Sequence, residues 1–112
     1  MKFTDTLKKN SDFRRLYKRG RSVASKDLVL YVRRGRRGLN RIGITVTTKL
    51  GGAVQRNRVR RRIREIYRLN EFRLNAGLDI VVVARVRSRY ATYAELEKAF
   101  LECASKLGIL LQ

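Results

Sequence analysis

An arginine-dense segment in the middle of the chain constrains its folding more than any other feature. Between Ala53 and Arg68 the apolar residues recur at the spacing of an α-helix and therefore share one arc of the helix surface. These apolar residues are Val59, Ile63, Ile66 and Tyr67. Because this arc has to face a core, the segment predicts a long helix whose other side is almost entirely basic.

The basic side of this predicted helix is a row of guanidinium groups. Arginines four residues apart repel each other, and Glu65 is their one acidic neighbour, so the isolated helix is electrostatically unfavourable. An ordinary solvated surface is the alternative, but such surfaces usually interleave acids with bases. Guanidinium groups on steps of about 6 Å can each donate to phosphate oxygens, which favours contact with a nucleic acid backbone. The row holds Arg56, Arg60, Arg64 and Arg68, with Asn57 and Arg61 in the adjoining sector and Arg58 and Arg62 beside the apolar arc.

The overall charge agrees with a polyanionic partner. The chain of 112 residues carries 28 Lys plus Arg against 9 Asp plus Glu, a formal charge of +19. Solubility alone requires a net charge of only about 2 to 8 in a small domain, so a merely soluble basic protein is disfavoured. The length and the 44% apolar content predict a single RNA-binding domain spanning residues 1–112.

Catalytic and metal-binding chemistry is poorly provided for in this sequence. Cleavage of RNA by protein groups usually needs histidine or clustered carboxylates that hold a metal, whereas histidine is absent and the acidic residues are scattered. The single Cys103 lies on a predicted apolar stripe, which favours a buried thiol over a nucleophile. We therefore expect no catalytic residue, no metal and no small-molecule substrate in the protein. The single cysteine cannot form an internal disulfide, which favours a reducing compartment. No apolar run approaches about 20 residues, so we expect no membrane contact and a cytoplasmic location.

The remaining patterns predict an α+β fold with a small sheet and helices packed on it. A continuous apolar run from Ile80 to Ala84 suits a strand buried on both faces, which should lie centrally. Thr92 and Glu95 match a capping box at the start of the last helix. The predicted order is a helix capped by Ser11 or Asp12 and ending near Gly20, strands at 27–33 and 42–47 that form a hairpin, a helix from 53 to 75 or 77, a strand at 78–86 and a helix from 93 to 108.

Three aromatic residues give a second, weaker signal. Phe13 and Tyr17 share one face of the first predicted helix, and Tyr31 lies on a strand face opposite its apolar neighbours. All three could line a groove in which unstacked bases of a single strand rest. The alternative is that Phe13 and Tyr17 only pack the helix onto the sheet, and spacing alone favours that alternative.

The sequence resembles the protein component of bacterial ribonuclease P over nearly its whole length. The segment with Arg56-Asn57-Arg58 in its full context is close to a signature of that family. The segments that carry the resemblance are Leu7-Lys8-Lys9-Asn10-Ser11-Asp12-Phe13 with Tyr17-Lys18-Arg19-Gly20, then Arg41-Ile42-Gly43-Ile44, and Gly52-Ala53-Val54-Gln55-Arg56-Asn57-Arg58-Val59-Arg60-Arg61-Arg62-Ile63-Arg64-Glu65.

The resemblance implies a small basic subunit that binds ribonuclease P RNA and assists removal of the 5′ leader from precursor tRNA. The RNA would perform the chemistry with its own magnesium ions, and the protein would lower the magnesium requirement. The arginine helix would face the catalytic RNA, and a cleft between the first helix and the sheet would bind the leader. By resemblance the RNA face comprises Arg56, Asn57, Arg58, Arg60, Arg61 and Arg64, and the cleft comprises Phe13, Tyr17 and Tyr31. The helical row adds Arg68 to the predicted RNA face.

The same resemblance implies a mixed sheet with a left-handed β-α-β crossover, although the general rule favours right-handed crossovers. The chain departs from the family in the short, strongly basic loop from Arg33 to Arg41, whose role the sequence leaves open, as it does the oligomeric state. Two other functions compete with this interpretation. A structural RNA-binding protein such as a ribosomal protein would fit the charge equally well, and a self-sufficient nuclease would need an active site that the sequence lacks.

Overall fold

The computed structural model describes residues 3–111, and within that range it has an α+β fold of five strands and three helices. The predicted fold class is therefore confirmed. Short 3-10 turns at Thr48–Leu50, Glu71–Arg73 and Val86–Tyr90 connect some of these elements. In chain order the elements are β1 (Thr4–Thr6), α1 (Asn10–Arg19), β2 (Arg21–Ala24), β3 (Leu28–Arg34), β4 (Asn40–Val46), α2 (Ala53–Asn70), β5 (Leu78–Ala84) and α3 (Tyr93–Leu107).

The strands form one mixed sheet in the order β1-β4-β5-β3-β2. β4 is parallel to both β1 and β5, whereas β3 is antiparallel to both β5 and β2. The prediction that the apolar strand lies centrally is confirmed, because Ile80, Val81 and Val82 of β5 are fully buried. The parallel pair β4 and β5 is joined through α2, so the predicted β-α-β unit is present. Its left-handed course stays a prediction, as does the assignment of residues 1–112 to a single domain.

The predicted hairpin between β3 and β4 is wrong, because β5 lies between these two strands and pairs with both. β5 is the most apolar strand and gains most from having both edges and both faces covered. β1 and β2 are present but are not predicted by the sequence patterns. These edge strands are three and four residues long and mostly polar, so they carry almost no alternation of apolar and polar residues.

The helix ends agree with the sequence in part. α3 begins with the predicted capping box, in which Thr92 and Glu95 bond reciprocally, and it ends at Gly108 in the left-handed conformation at φ 73°. α1 begins one residue before Ser11 and has no side-chain cap. α2 ends at Asn70 rather than at 75 or 77, and the Asn70 side chain donates to the carbonyl of Ile66 at 2.8 Å.

The two faces of the sheet are covered unequally. α2 and α3 pack on one face, where Tyr67 and Phe100 meet edge to face at a centroid distance of 6.3 Å within the large cluster of buried residues. On the other face a small cluster of Leu7, Leu16 and Val81 lies beneath α1. Because α1 is only ten residues long, it covers only part of this second face. The uncovered part borders a cleft lined by Phe13 and Tyr17.

Candidate nucleic-acid interface

The apolar side of α2 fixes the direction in which its arginines point. All four residues of the predicted apolar arc are at most 2% exposed. They belong to the large core cluster under the sheet. Since a helix is rigid, burying this arc directs the opposite side outward, as the periodicity predicts. The buried residues are Val59, Ile63, Ile66 and Tyr67.

All of the predicted RNA-facing residues except Arg56 lie on the outward side of α2. Arg56 is half-buried, and the other residues of this set are exposed. Arg62, beside the apolar arc, is half-buried and donates to the carbonyl of Ala91 at 3.1 Å. The exposed residues, which we call the α2 face, are Asn57, Arg58, Arg60, Arg61, Arg64 and Arg68.

The charges of the α2 face are almost uncompensated. Arg68 forms a two-point ion pair with Glu65, with N–O distances of 2.6 and 3.1 Å, and this hydrogen bonding lowers the pKa of Glu65. Arg60 donates to the side-chain oxygen of Asn57 at 2.9 Å, which orients the guanidinium group without neutralising it. Within residues 3–111, no other arginine of this face forms an ion pair with a carboxylate. The surface therefore presents a concentrated positive charge that an anionic polymer can neutralise.

The predicted aromatic residues meet on the other face of the sheet. Phe13 packs directly on Gly43, where a Cβ atom would lie only 2.6 Å from the ring, so a larger residue at this position of β4 would force the ring to move. Tyr17 and Tyr31 meet edge to face at a centroid distance of 5.0 Å, and the Tyr17 hydroxyl lies 2.9 Å from the hydroxyl of Thr45. α1 is thereby held against the sheet by aromatic packing, in agreement with the structural alternative that spacing favoured.

A cleft nevertheless remains beside these rings, with a volume of about 570 Å³. Phe13 and Tyr17 line it directly, whereas Tyr31 supports Tyr17 and is not among the lining residues. Arg60 of α2 lines the same cleft from its far side, a position that the helical periodicity does not reveal. The complete lining is Asn10, Phe13, Arg14, Tyr17, Ile44, Thr45, Val46 and Arg60. Aromatic faces and a cation bordering one groove can bind a single strand of nucleic acid.

Arg41 is a structurally important residue whose role the sequence analysis missed. Its guanidinium group donates two hydrogen bonds to Asp79, at 2.9 and 2.7 Å, and one to Asp12 at 3.3 Å. The hydrogen bond to Asp79 is the main cause of the raised pKa of Arg41. Asp12 belongs to α1 and Asp79 to β5, so Arg41 fastens α1 to the sheet and sets the position of the cleft. No local pattern identifies this role, because the partners are distant along the chain.

Within residues 3–111 no group of three or more His, Cys, Asp or Glu side chains is placed to hold a metal ion. The carboxylates of Asp12 and Asp79 are both bound by Arg41. In the same range no helix combines the length and apolarity that crossing a membrane requires.

Comparison with known proteins gives consistent matches over most of the chain. A family model described as Ribonuclease P matches residues 1–108. The ribonuclease P protein component of Clostridioides difficile strain 630 is 45% identical over 107 residues, which cover 95% of this chain and 94% of the relative. The corresponding protein of Alkaliphilus metalliredigens is 43% identical and covers 98% of this chain and 99% of the relative.

Solved structures match equally well. The ribonuclease P protein of Staphylococcus aureus superimposes with a TM-score of 0.84 at 33% identity, covering 95% of this chain and 97% of that protein. The protein from Thermotoga maritima superimposes with a TM-score of 0.80 at 29% identity, covering 88% of this chain and 93% of that protein.

Proposed function

The chain belongs to the ribonuclease P protein family and is a subunit of that tRNA-processing endoribonuclease, in which we propose that it holds two RNAs side by side. The family implies ribonuclease P RNA and precursor tRNA as its partners. In the proposal the α2 face binds the catalytic RNA, and the aromatic cleft binds the 5′ leader of the precursor. Because the chain belongs to this family, the alternative of a structural RNA-binding protein such as a ribosomal protein is rejected.

The observation that carries the proposal is the unpaired charge of the α2 face. Arg58, Arg60 and Arg64 are exposed and form no ion pair with a carboxylate within residues 3–111. Arginine guanidinium groups bind phosphate oxygens through two parallel hydrogen bonds, which suits them to an RNA backbone. The proposed contact set is Arg56, Asn57, Arg58, Arg60, Arg61, Arg64 and Arg68.

The position of the cleft supports leader binding. Phe13 and Tyr17 line the cleft, and Tyr31 holds the ring of Tyr17 in place. Every base has a face that stacks on an aromatic ring, so such a cleft accepts leaders of different sequence. Because Arg60 borders the cleft from α2, a leader bound there would run beside the catalytic RNA. The substrate would then be positioned by the protein and cleaved by the RNA.

In the same proposal the protein lowers the magnesium requirement of the reaction. Two RNA backbones repel each other, and cations must accumulate between them unless a fixed positive surface takes their place. The α2 face supplies such a surface, so fewer free magnesium ions are needed to bring the RNAs together. In this proposal magnesium is bound by RNA, and the protein supplies none of its ligands. The cytoplasmic location expected from the sequence stays a prediction.

Reconstitution tests the proposal. The protein is mixed with a bacterial ribonuclease P RNA and precursor tRNA over a series of magnesium concentrations, and cleavage of the leader is measured. We expect the protein to lower the magnesium concentration needed for cleavage and to cleave nothing by itself. A protein that leaves the magnesium dependence of the RNA unchanged would contradict the proposal.

A further inference from the structure

We propose that a second RNA-binding surface lies beside α2 and takes an unpaired nucleotide of the catalytic RNA. This surface, which we call the β5–α3 turn, consists of Arg85, Arg87, Arg89 and Tyr90. The inference rests on the function proposed above, because it extends the contact of the catalytic RNA beyond the α2 face.

The local fold turns the polar residues of the β5–α3 turn outward. Ser88 is fully buried, and its hydroxyl donates to the carbonyl of Arg85 at 2.7 Å, which closes the turn from inside. Ala91 is also buried and joins the core cluster. Arg85 and Arg87 before Ser88 and Arg89 after it are exposed, and Tyr90 is 77% exposed, more than any other large apolar side chain among residues 3–111. An aromatic ring this exposed contributes little to folding and is available to a ligand.

The charge of the turn is largely uncompensated. Arg85 donates to the carbonyl of Ser25 at 2.9 Å, and Arg89 donates to the carbonyl of Leu50 at 3.3 Å. These bonds orient the guanidinium groups but leave their charges in place. Within residues 3–111, none of the three arginines of the turn forms an ion pair with a carboxylate.

The side chains that face the turn carry charges of both signs. Lys26 adds a positive charge beside Arg87, whereas Asp27 and Glu95 add negative ones. Asp27 is only 3% exposed, so its carboxylate lies beneath the surface. Glu95 accepts a hydrogen bond from the backbone of Thr92 at 2.9 Å as part of the capping box. Glu95 is nevertheless exposed, and Lys26 and Arg87 contribute to lowering its pKa, so this carboxylate offsets part of the charge at the edge of the turn. Arg85 and Arg89 have no carboxylate in an ion pair among residues 3–111, and the Tyr90 ring stands exposed beside them.

This arrangement matches the chemistry of a nucleotide that projects from an RNA strand. A pocket of about 310 Å³ lies beside Tyr90 and Arg87 and is at the lower end of the range that holds small ligands. A base can stack on the Tyr90 ring, and the adjoining phosphates can accept hydrogen bonds from Arg87 and Arg89. The Arg89 guanidinium already lies 5.5 Å from the centre of the Tyr90 ring, which helps to hold that ring in place.

Continuity with α2 assigns the surface to the catalytic RNA rather than to the leader. Arg89 bonds to Leu50, just before α2, and Arg62 of α2 bonds to Ala91, just after the turn. The turn therefore extends the surface of α2 sideways. Phe13 and Tyr17 of the cleft lie with α1 on the other face of the sheet. An RNA on the α2 face reaches the turn directly, whereas a leader in the cleft does not.

The first test removes charge from the turn. In the full-length protein Arg87→Ser is combined with Arg89→Ser, and affinity for ribonuclease P RNA is measured over a series of salt concentrations. We expect affinity to fall roughly tenfold and the slope of log affinity against log salt to fall by roughly 1.5 units, as two phosphate contacts are lost. The matched control is Lys98→Ser with Lys106→Ser, which removes the same charge from exposed positions on α3 and should leave the slope nearly unchanged.

The second test removes the stacking surface. Tyr90→Ala should weaken binding to the catalytic RNA roughly fivefold to a hundredfold, whereas Tyr90→Phe keeps the ring and should bind as the parent does. Because Tyr90 is so exposed, both variants should have the thermal unfolding midpoint of the parent protein. Equal loss of affinity in both variants would remove the stacking interaction from the proposal.

The outcomes separate this inference from the function on which it rests. If an Arg60→Ala, Arg64→Ala variant loses affinity while the Arg87, Arg89 variant does not, the turn is not a contact and the α2 face is. If neither variant loses affinity, the function proposed for α2 fails as well. A loss in the Lys98, Lys106 control equal to that in the turn variant would show only an effect of net charge. Weaker discrimination between precursor and mature tRNA by the turn variant would assign the turn to the leader, against the proposal.

Discussion

Arg41 and Arg64 have the same side chain in opposite surroundings. Arg41 is 21% exposed and shares three hydrogen bonds with Asp79 and Asp12, whereas Arg64 is exposed and pairs with no carboxylate among residues 3–111. The chain has only 9 acidic residues for 28 basic ones, so the placement of the acids decides what each arginine does. Several of these acids stabilise the fold, so every arginine of the α2 face except Arg68 has no carboxylate partner among residues 3–111. Arginine is thus a structural residue in one region and a proposed RNA ligand in the other.

The largest expected effect tests the structural side of this comparison. Arg41→Ala leaves Asp79 and Asp12 without their shared cation in a poorly solvated place, so we expect the free energy of unfolding to fall by about 3 kcal/mol. Urea denaturation measures this change. Arg64→Ala is the matched control and should change the free energy of unfolding by less than about 0.5 kcal/mol. Equal losses would mean that the two arginines do not differ in role.

The next effect concerns the cleft that Arg41 helps to position. Tyr17→Ala should weaken binding of precursor tRNA to the assembled enzyme by about 1–3 kcal/mol, because a base loses its stacking surface. Mature tRNA, which lacks a leader, should bind as before, and the ratio of the two dissociation constants measures the difference. Tyr31→Ala should have a smaller effect in the same direction, since Tyr31 acts by supporting Tyr17. If both tRNAs lose affinity equally, the aromatic residues do not bind the leader.

A smaller effect tests the proposed RNA ligands. Arg60→Ala combined with Arg64→Ala should weaken binding to ribonuclease P RNA roughly tenfold and reduce its salt dependence by roughly 1.5 units of slope. Stability should be unchanged, since neither side chain pairs with an acid among residues 3–111. A variant with unaltered salt dependence would exclude the α2 face as the contact surface.

The smallest effect appears on acidification. Hydrogen bonding to Thr92 lowers the pKa of Glu95 from its ordinary value in the folded protein. A carboxylate with a lowered pKa contributes stability above its ordinary pKa, and this contribution is lost as the pH falls through the lowered value. We expect Glu95→Gln to reduce the loss of stability between neutral pH and about pH 3, as measured by thermal unfolding. An identical pH dependence in the variant would show that the capping box is not responsible.

The sequence predicted the regions in which local order is strong. The periodicity of α2, the apolar run of β5 and the capping box of α3 each act within a few residues, and all three elements are present. Phe13 and Tyr17, which the resemblance groups in a leader-binding cleft, line one cleft in the structure, and leader binding there stays a prediction. α2, β5 and α3 were predictable because side-chain burial and backbone preference favour the same secondary structure in each of them.

The parts that sequence reasoning missed depend on partners distant along the chain. β3 and β4 are consecutive in the chain but do not pair with each other. Both pair with β5, which begins more than thirty positions after β4 begins. Arg41 looks like one more cation of a basic loop, because Asp12 and Asp79 are identified as its partners only after folding. The same holds for Arg60, which reaches the cleft from another element.

The central place of β5 has a consequence for how the protein is made. A ribosome synthesises α2 before β5, so the apolar stripe of α2 emerges while the middle strand of the sheet is still missing. β3 and β4 likewise have no strand between them until residues 78–84 leave the exit tunnel. The complete sheet therefore cannot form until late in translation, and we expect this long-range strand pairing to be a slow step of folding.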